Sequence, residues 1–186
     1  MPDVIAGGTG DAPAAPGRRR ALVGLVLVLA LLAATADRWQ GSRERGQLLR
    51  SVTAGERAVN ASQTSIASLA EYSSGLLYAA DVPDSVRGSA YENLADDAGR
   101  WQPRLQRARR DVAATPVLPW HRKGRAARRA YEQRLTAWMT MLADFQASPQ
   151  AGFGDGSSAV TTSRRTAREA LLEAGLERGR VRELLG

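Results

Sequence analysis

The chain has 186 residues, 26 basic and 19 acidic, for a formal net charge of +7, and it contains no cysteine. The missing thiols exclude disulfide frameworks, thiolate metal sites and cysteine nucleophiles. With one apolar segment set aside, about 150 residues remain, enough to bury a core without a metal or a cross-link.

All the basic residues except Lys123 are arginine, and with abundant Ala and Gly they point to a GC-rich genome as the source of much of the excess charge. Acidic residues are spread along the chain, so the excess is not a polybasic tail.

Residues 1–17 are rich in Gly, Ala and Pro and nearly free of large apolar side chains. Such a composition cannot bury enough surface to offset its ordering entropy, so residues 1–20, ending in Arg18, Arg19 and Arg20, are expected to be a disordered cytoplasmic tail. The run ALVGLVLVLALLAATA, residues 21–36, carries no charge. As a helix it spans roughly 24 Å, short of a hydrocarbon core of about 30 Å. Snorkelling by Arg20 and Arg38, with Trp39 at the interface, makes up the difference.

Residues 21–36 are therefore expected to be a transmembrane signal anchor. Ala34-Thr35-Ala36 before Asp37 offers the alternative of a cleaved, secreted protein, and Arg18-Arg19 loosely resembles a twin-arginine export signal. The long Leu- and Val-rich run, continuing as helix without a breaking proline, favours the anchor. The arginine cluster on a short tail favours a cytoplasmic N-terminus and an extracytoplasmic domain over 37–186, against the counterweight of Arg38, Arg43, Arg45 and Arg50 beyond the span.

Four segments beyond the span carry a helical period, and none reads as a strand. The first, about 39–80, has a heptad seam of Leu48, Val52, Gly55, Val59, Ser62, Ile66, Leu69, Ser73 and Leu76. Its small residues allow close helix approach. Pro83 breaks the pattern, and Asp84 is the expected N-cap of helix two, with Ser89 to Glu92 a second capping-box candidate. Helix two presents Val86, Ala90, Leu94, Ala98, Trp101, Leu105, Ala108 and Val112, and Pro103 predicts a kink or break near 99–103.

Two prolines keep 115–120 from being helical. Helix three, 122–147, presents Ala127, Tyr131, Leu135, Trp138, Leu142 and Phe145, flanked by Met139 and Met141. After a Gly-rich loop over 149–158, helix four, about 159–185, presents Val160, Ala167, Ala170, Leu171, Ala174, Val181 and Leu184, with Thr166 to Glu169 an alternative capping box. The expected fold is all-α: a single N-terminal transmembrane helix followed by an antiparallel, up-down four-helix bundle.

The densest charge feature runs from Arg104 to Arg129, nine basic residues against Asp111 alone, a net of +8. If helix one leaves the membrane, helix two returns toward it, and the connection between helices two and three faces the bilayer. Arg104, Arg107, Arg110, Trp120, Arg122, Lys123, Arg125, Arg128 and Arg129 then form a patch for anionic lipid or an acidic partner, with Trp120 at the interface. The plainer alternative is a pair of solvated helix ends with Trp120 capping the core. No nucleic acid is expected, since neither a zinc finger nor an RNA-recognition signature accompanies the charge.

His121, the single histidine, reads as a surface residue. Asp96-Asp97 are helix neighbours that point apart and form no dyad. Gly152 to Gly156 lacks the strand and the Lys-Ser or Lys-Thr of a phosphate loop and reads as a turn, with Phe153 near the bundle. Asn60-Ala61-Ser62 matches a glycosylation sequon that means little in a bacterial protein. Trp101, Tyr131, Trp138 and Phe145 read as core. No catalytic residue, metal site or cofactor is expected.

The arrangement of membrane helix plus helical bundle is similar to the sensory half of bacterial chemoreceptors and kinases. The likeness lies in arrangement alone, and no motif carries it. The expected function is a membrane-tethered, non-enzymatic interaction module, an accessory or assembly subunit of a cell-envelope complex, with lipid and an envelope protein as partners. The alternative from another class is an extracytoplasmic ligand-binding sensor. A buried polar cavity between helices favours the sensor, and a packed core favours the module.

Overall fold

The computed structural model describes residues 16–153 and 156–186, with side chains described from residue 25 onward, residue 78 excepted. Among the described residues the protein is all-helical: α1 (Pro16–Tyr78), α2 (Asp84–Ala113), α3 (Arg122–Ala147), a 3-10 turn (Pro149–Ala151), α4 (Gly156–Glu173) and α5 (Arg178–Leu185), with no strand. The chain divides into two units, Met1–Gln40 and Gly41–Gly186.

In the first unit, the part of the expected tail over residues 1–15 lies outside the described residues. Residues 16–20, expected to be disordered, are helical. Pro16 suits the first helical position, where its missing N–H forfeits no bond. Leu25, Val26, Leu27, Val28, Leu29, Leu31 and Leu32 are exposed around the helix. Among the described residues no helix is long and apolar enough to cross a membrane. The expected span opens at residues 21–24, whose side chains lie outside the described ones.

In the second unit, α2 packs on α3 and α3 on α4, and α1 joins them in one apolar core. The expected α1 seam is buried at Leu48, Val52, Val59, Ser62, Ile66 and Ser73, but its end moves from Leu76, which is exposed, to Leu77, which is buried. A straight helix with 3.6 residues per turn drifts off a 3.5-residue repeat, so a step of four replaces the expected step of three. The expected face of α3 is buried throughout.

Four local expectations are corrected. Pro83, not Asp84, is the N-cap of α2, and no side chain caps it. Asp84 instead accepts from Arg87, which also donates to the Ala79 and Val82 carbonyls and clasps the turn. The two alternative capping boxes lie inside helices, where Ser89 and Thr166 bond back to the Ser85 and Thr162 carbonyls. Helix two does not break: α2 runs through Pro103, whose ring crowds the carbonyl of Gly99, a residue free to adjust because it has no Cβ.

The fourth correction concerns helix four, which begins at Gly156 and splits into α4 and α5. Gly175 adopts φ +82°, Gly175 N–H donates to the Leu172 carbonyl and Leu176 N–H to the Leu171 carbonyl. This is a Schellman stop, sealed by burial of Leu171 and Leu176. The second half is thereby re-aimed, so that Leu185 is buried more deeply than the expected Leu184.

Gly55 sets how closely α1 approaches α3. A Cβ there would lie 2.5 Å from Tyr131 Oη and 2.9 Å from its Cε1, whereas one at Gly75 would meet nothing within 4 Å. Gly55→Ala is expected to cost about 1–3 kcal/mol through overpacking. Gly75→Ala is expected to stabilise by up to about 1 kcal/mol through helix propensity alone. Urea denaturation of the two variants checks the contrast.

Candidate functional site

The expected patch is built around the connection from α2 to α3. Glu44 of α1 is buried and grips this loop with both oxygens: Leu118 N–H donates to Oε1 at 3.0 Å, and His121 Nδ1 lies 2.6 Å from Oε2. His121 is thus a half-buried anchor at the N-terminus of α3, not the expected surface residue. Thr115, also buried, hydrogen-bonds Ser51 of α1, and its carbonyl accepts from Arg128. Residues 115–121 are therefore fastened beside the first turns of α1 within this unit.

The nine expected patch residues do not form one cluster. Trp120, Arg122 and Lys123 are exposed together at the start of α3. Arg110 and Arg129 line a groove between α2 and α3 with Arg109 and Glu132. Arg125 is partly buried, with its Nε covered. Arg128 is committed to the Thr115 carbonyl and to Glu132, 3.4 Å away. Arg104 stacks over Trp101 at 4.6 Å, which leaves that tryptophan half-buried, and Arg107 is exposed further along α2.

No family model, no curated protein and no solved structure matches this chain.

A second polar feature, which the periodicity reading passed over, lies inside the body. Glu56 of α1 and Arg134 of α3 are 1% and 4% exposed. Arg134 donates through Nε and Nη2 to the two carboxylate oxygens of Glu56, at 2.6 and 2.7 Å. The Tyr131 hydroxyl lies 2.9 Å from Glu56 Oε1 and 3.0 Å from the Val52 carbonyl. Further along both helices, Trp138 Nε1 donates to Ser62 Oγ at 2.9 Å. Arg134 Nη1 is buried and finds no hydrogen-bond acceptor among the described residues.

The available signal was position. Glu56 and Arg134 each adjoin a seam residue, Gly55 and Leu135, and a broad helix face buries such flanking positions too. An opposite charge at the edge of each of two facing stripes, beside a glycine, marks a paired site. Asp97 of α2 accepts a hydrogen bond from Ser65 Oγ of α1 at 2.7 Å. Among the described residues no three metal-ligating side chains come together.

Burial first, and then the neighbouring Glu56 carboxylate, push the Tyr131 hydroxyl well above the ordinary tyrosine value of 10.0, with Arg134 opposing. The unfolded chain loses this proton near the ordinary value while the folded protein keeps it. The resulting stabilisation is complete below about pH 10 and is lost as pH rises through the raised folded value. In an alkaline ultraviolet titration the last tyrosine to ionise is expected to do so together with unfolding, and that step is expected to vanish in Tyr131→Phe.

Proposed function

We propose that this chain is a membrane-tethered, non-enzymatic helical module, an up-down four-helix bundle outside the cytoplasm whose basic end rests on anionic lipid. The observation that carries the reading is the grip of Glu44 on residues 115–121. It keeps Trp120, Arg122 and Lys123 beside the first residues of the body, and only residues 37–40 separate that body from the apolar run 21–36. If the run is held in lipid, this end is the one within reach of headgroups.

Two further points support the reading. A helix apolar on all sides, as Leu25 to Leu32 are, has no water-facing stripe and suits a hydrocarbon surrounding. Trp120 is 65% exposed and belongs to the residue class that favours the membrane interface. Each basic side chain near an anionic surface contributes about 1 kcal/mol, so Arg122 and Lys123 together orient the body without gripping it tightly. An accessory role beside another envelope protein fits such an orientation.

Because the chain has no cysteine, Trp120→Cys gives a unique attachment point for an environment-sensitive fluorophore. In full-length protein reconstituted into anionic vesicles, this label is expected to be quenched by lipid-borne nitroxides. The quenching is expected to be weaker in zwitterionic vesicles, in high salt, and with Arg122→Gln and Lys123→Gln. A label equally exposed to water in both lipids contradicts lipid contact and leaves an acidic protein as the patch's counterpart. N-terminal sequencing that finds a mature chain starting at Asp37 contradicts the tether.

A further inference from the structure

A cavity of about 490 Å³ lies within the second unit, between α1, α3 and α4. Small-molecule sites commonly span about 300–1,000 Å³, with mostly apolar walls and a few placed polar groups. Here Val59, Ile66, Trp138, Met141 and Val160 supply apolar wall, and the charged side chains in the lining are Glu56, Arg134 and Arg164, one negative against two positive.

The charges are not equally committed. Glu56 is saturated, with Arg134 on both oxygens and Tyr131 on one. Arg134 retains donor capacity at Nη1. A buried donor left without an acceptor costs about 1–3 kcal/mol, and native proteins seldom leave one so. Arg164 uses Nε on the Leu185 carbonyl at 2.7 Å and adds its positive charge from an exposed position on α4. The cavity thus joins an apolar slot to a net positive wall that has a donor to spare.

We propose that this cavity binds a compact amphiphilic organic anion, with its apolar body against Val59, Ile66, Trp138 and Val160 and its carboxylate directed to Arg134. Nη1 is itself covered, so the contact needs one wall side chain to give way. A cation would meet the repulsion of two guanidiniums and a carboxylate already in use. A neutral molecule of the same shape would leave Nη1 less well satisfied. The site is independent of the end proposed to face lipid.

The test uses full-length protein in lipid nanodiscs, titrated calorimetrically with 2-naphthoate and with neutral 2-naphthylmethanol, against protein-free discs. Naphthoate is expected to bind saturably at one site, tighter than the alcohol by roughly tenfold or more, the worth of a charge-assisted hydrogen bond. Ala67→Trp, which fills the cavity from an exposed lining position, is expected to abolish binding while helicity is retained. Arg164→Gln, on the surface, is expected to weaken it several-fold. Absence of saturable naphthoate binding, equal affinity for acid and alcohol, or affinity indifferent to both substitutions overturns the proposal.

Discussion

A carboxylate and a guanidinium removed together from water are the constraint on which this body is built. Desolvating Glu56 and Arg134 costs several kcal/mol per ion, and only close, bidentate geometry offsets it. That geometry exists in one register of α1 against α3. Gly55 makes room for the Tyr131 ring, and the Tyr131 hydroxyl reaches both Glu56 and the Val52 carbonyl. Apolar stripes alone tolerate sliding by a turn, because one aliphatic contact substitutes for another. A buried ion pair does not, because a slip leaves two charges without partners.

The loop after α2 and the cavity both inherit that register. Toward the start of the body, three to four turns before Glu56, α1 presents Glu44 to the loop that carries Trp120, Arg122 and Lys123. In the other direction, Ser62 meets Trp138 and Ser65 meets Asp97, and the cavity opens beside the pair with Arg134 in its wall. The seam of α1 is therefore a series of polar appointments set among Leu48, Val52, Val59 and Ile66. This explains how a seam with so many small residues still holds α1 to its neighbours.

The helices were legible in the sequence because hydrophobic periodicity repeats over many residues, and α3 matches its expected limits and face. What escaped the reading depended on single residues or on contacts distant in sequence. Gly175 ends α4 through one positive-φ turn, and Gly99 lets α2 pass Pro103. Leu77 replaces Leu76 because a small angular drift accumulates along α1. His121 looked like a surface residue because its partner, Glu44, lies on another helix. Glu56 and Arg134 were passed over for the same reason. The basic stretch was visible as composition, but composition did not show that Arg128 holds the Thr115 carbonyl or that Arg104 lies over Trp101.

The central claim is that Glu56 and Arg134 act as one unit, and a double-mutant cycle by urea denaturation measures this directly. Glu56→Leu and Arg134→Met alone are each predicted to lose about 3–5 kcal/mol, because each strands a buried charge. The double variant, which removes both charges in favour of apolar side chains, is predicted to lose far less than the sum. Strictly additive losses would show that the two side chains do not depend on each other and would contradict the account.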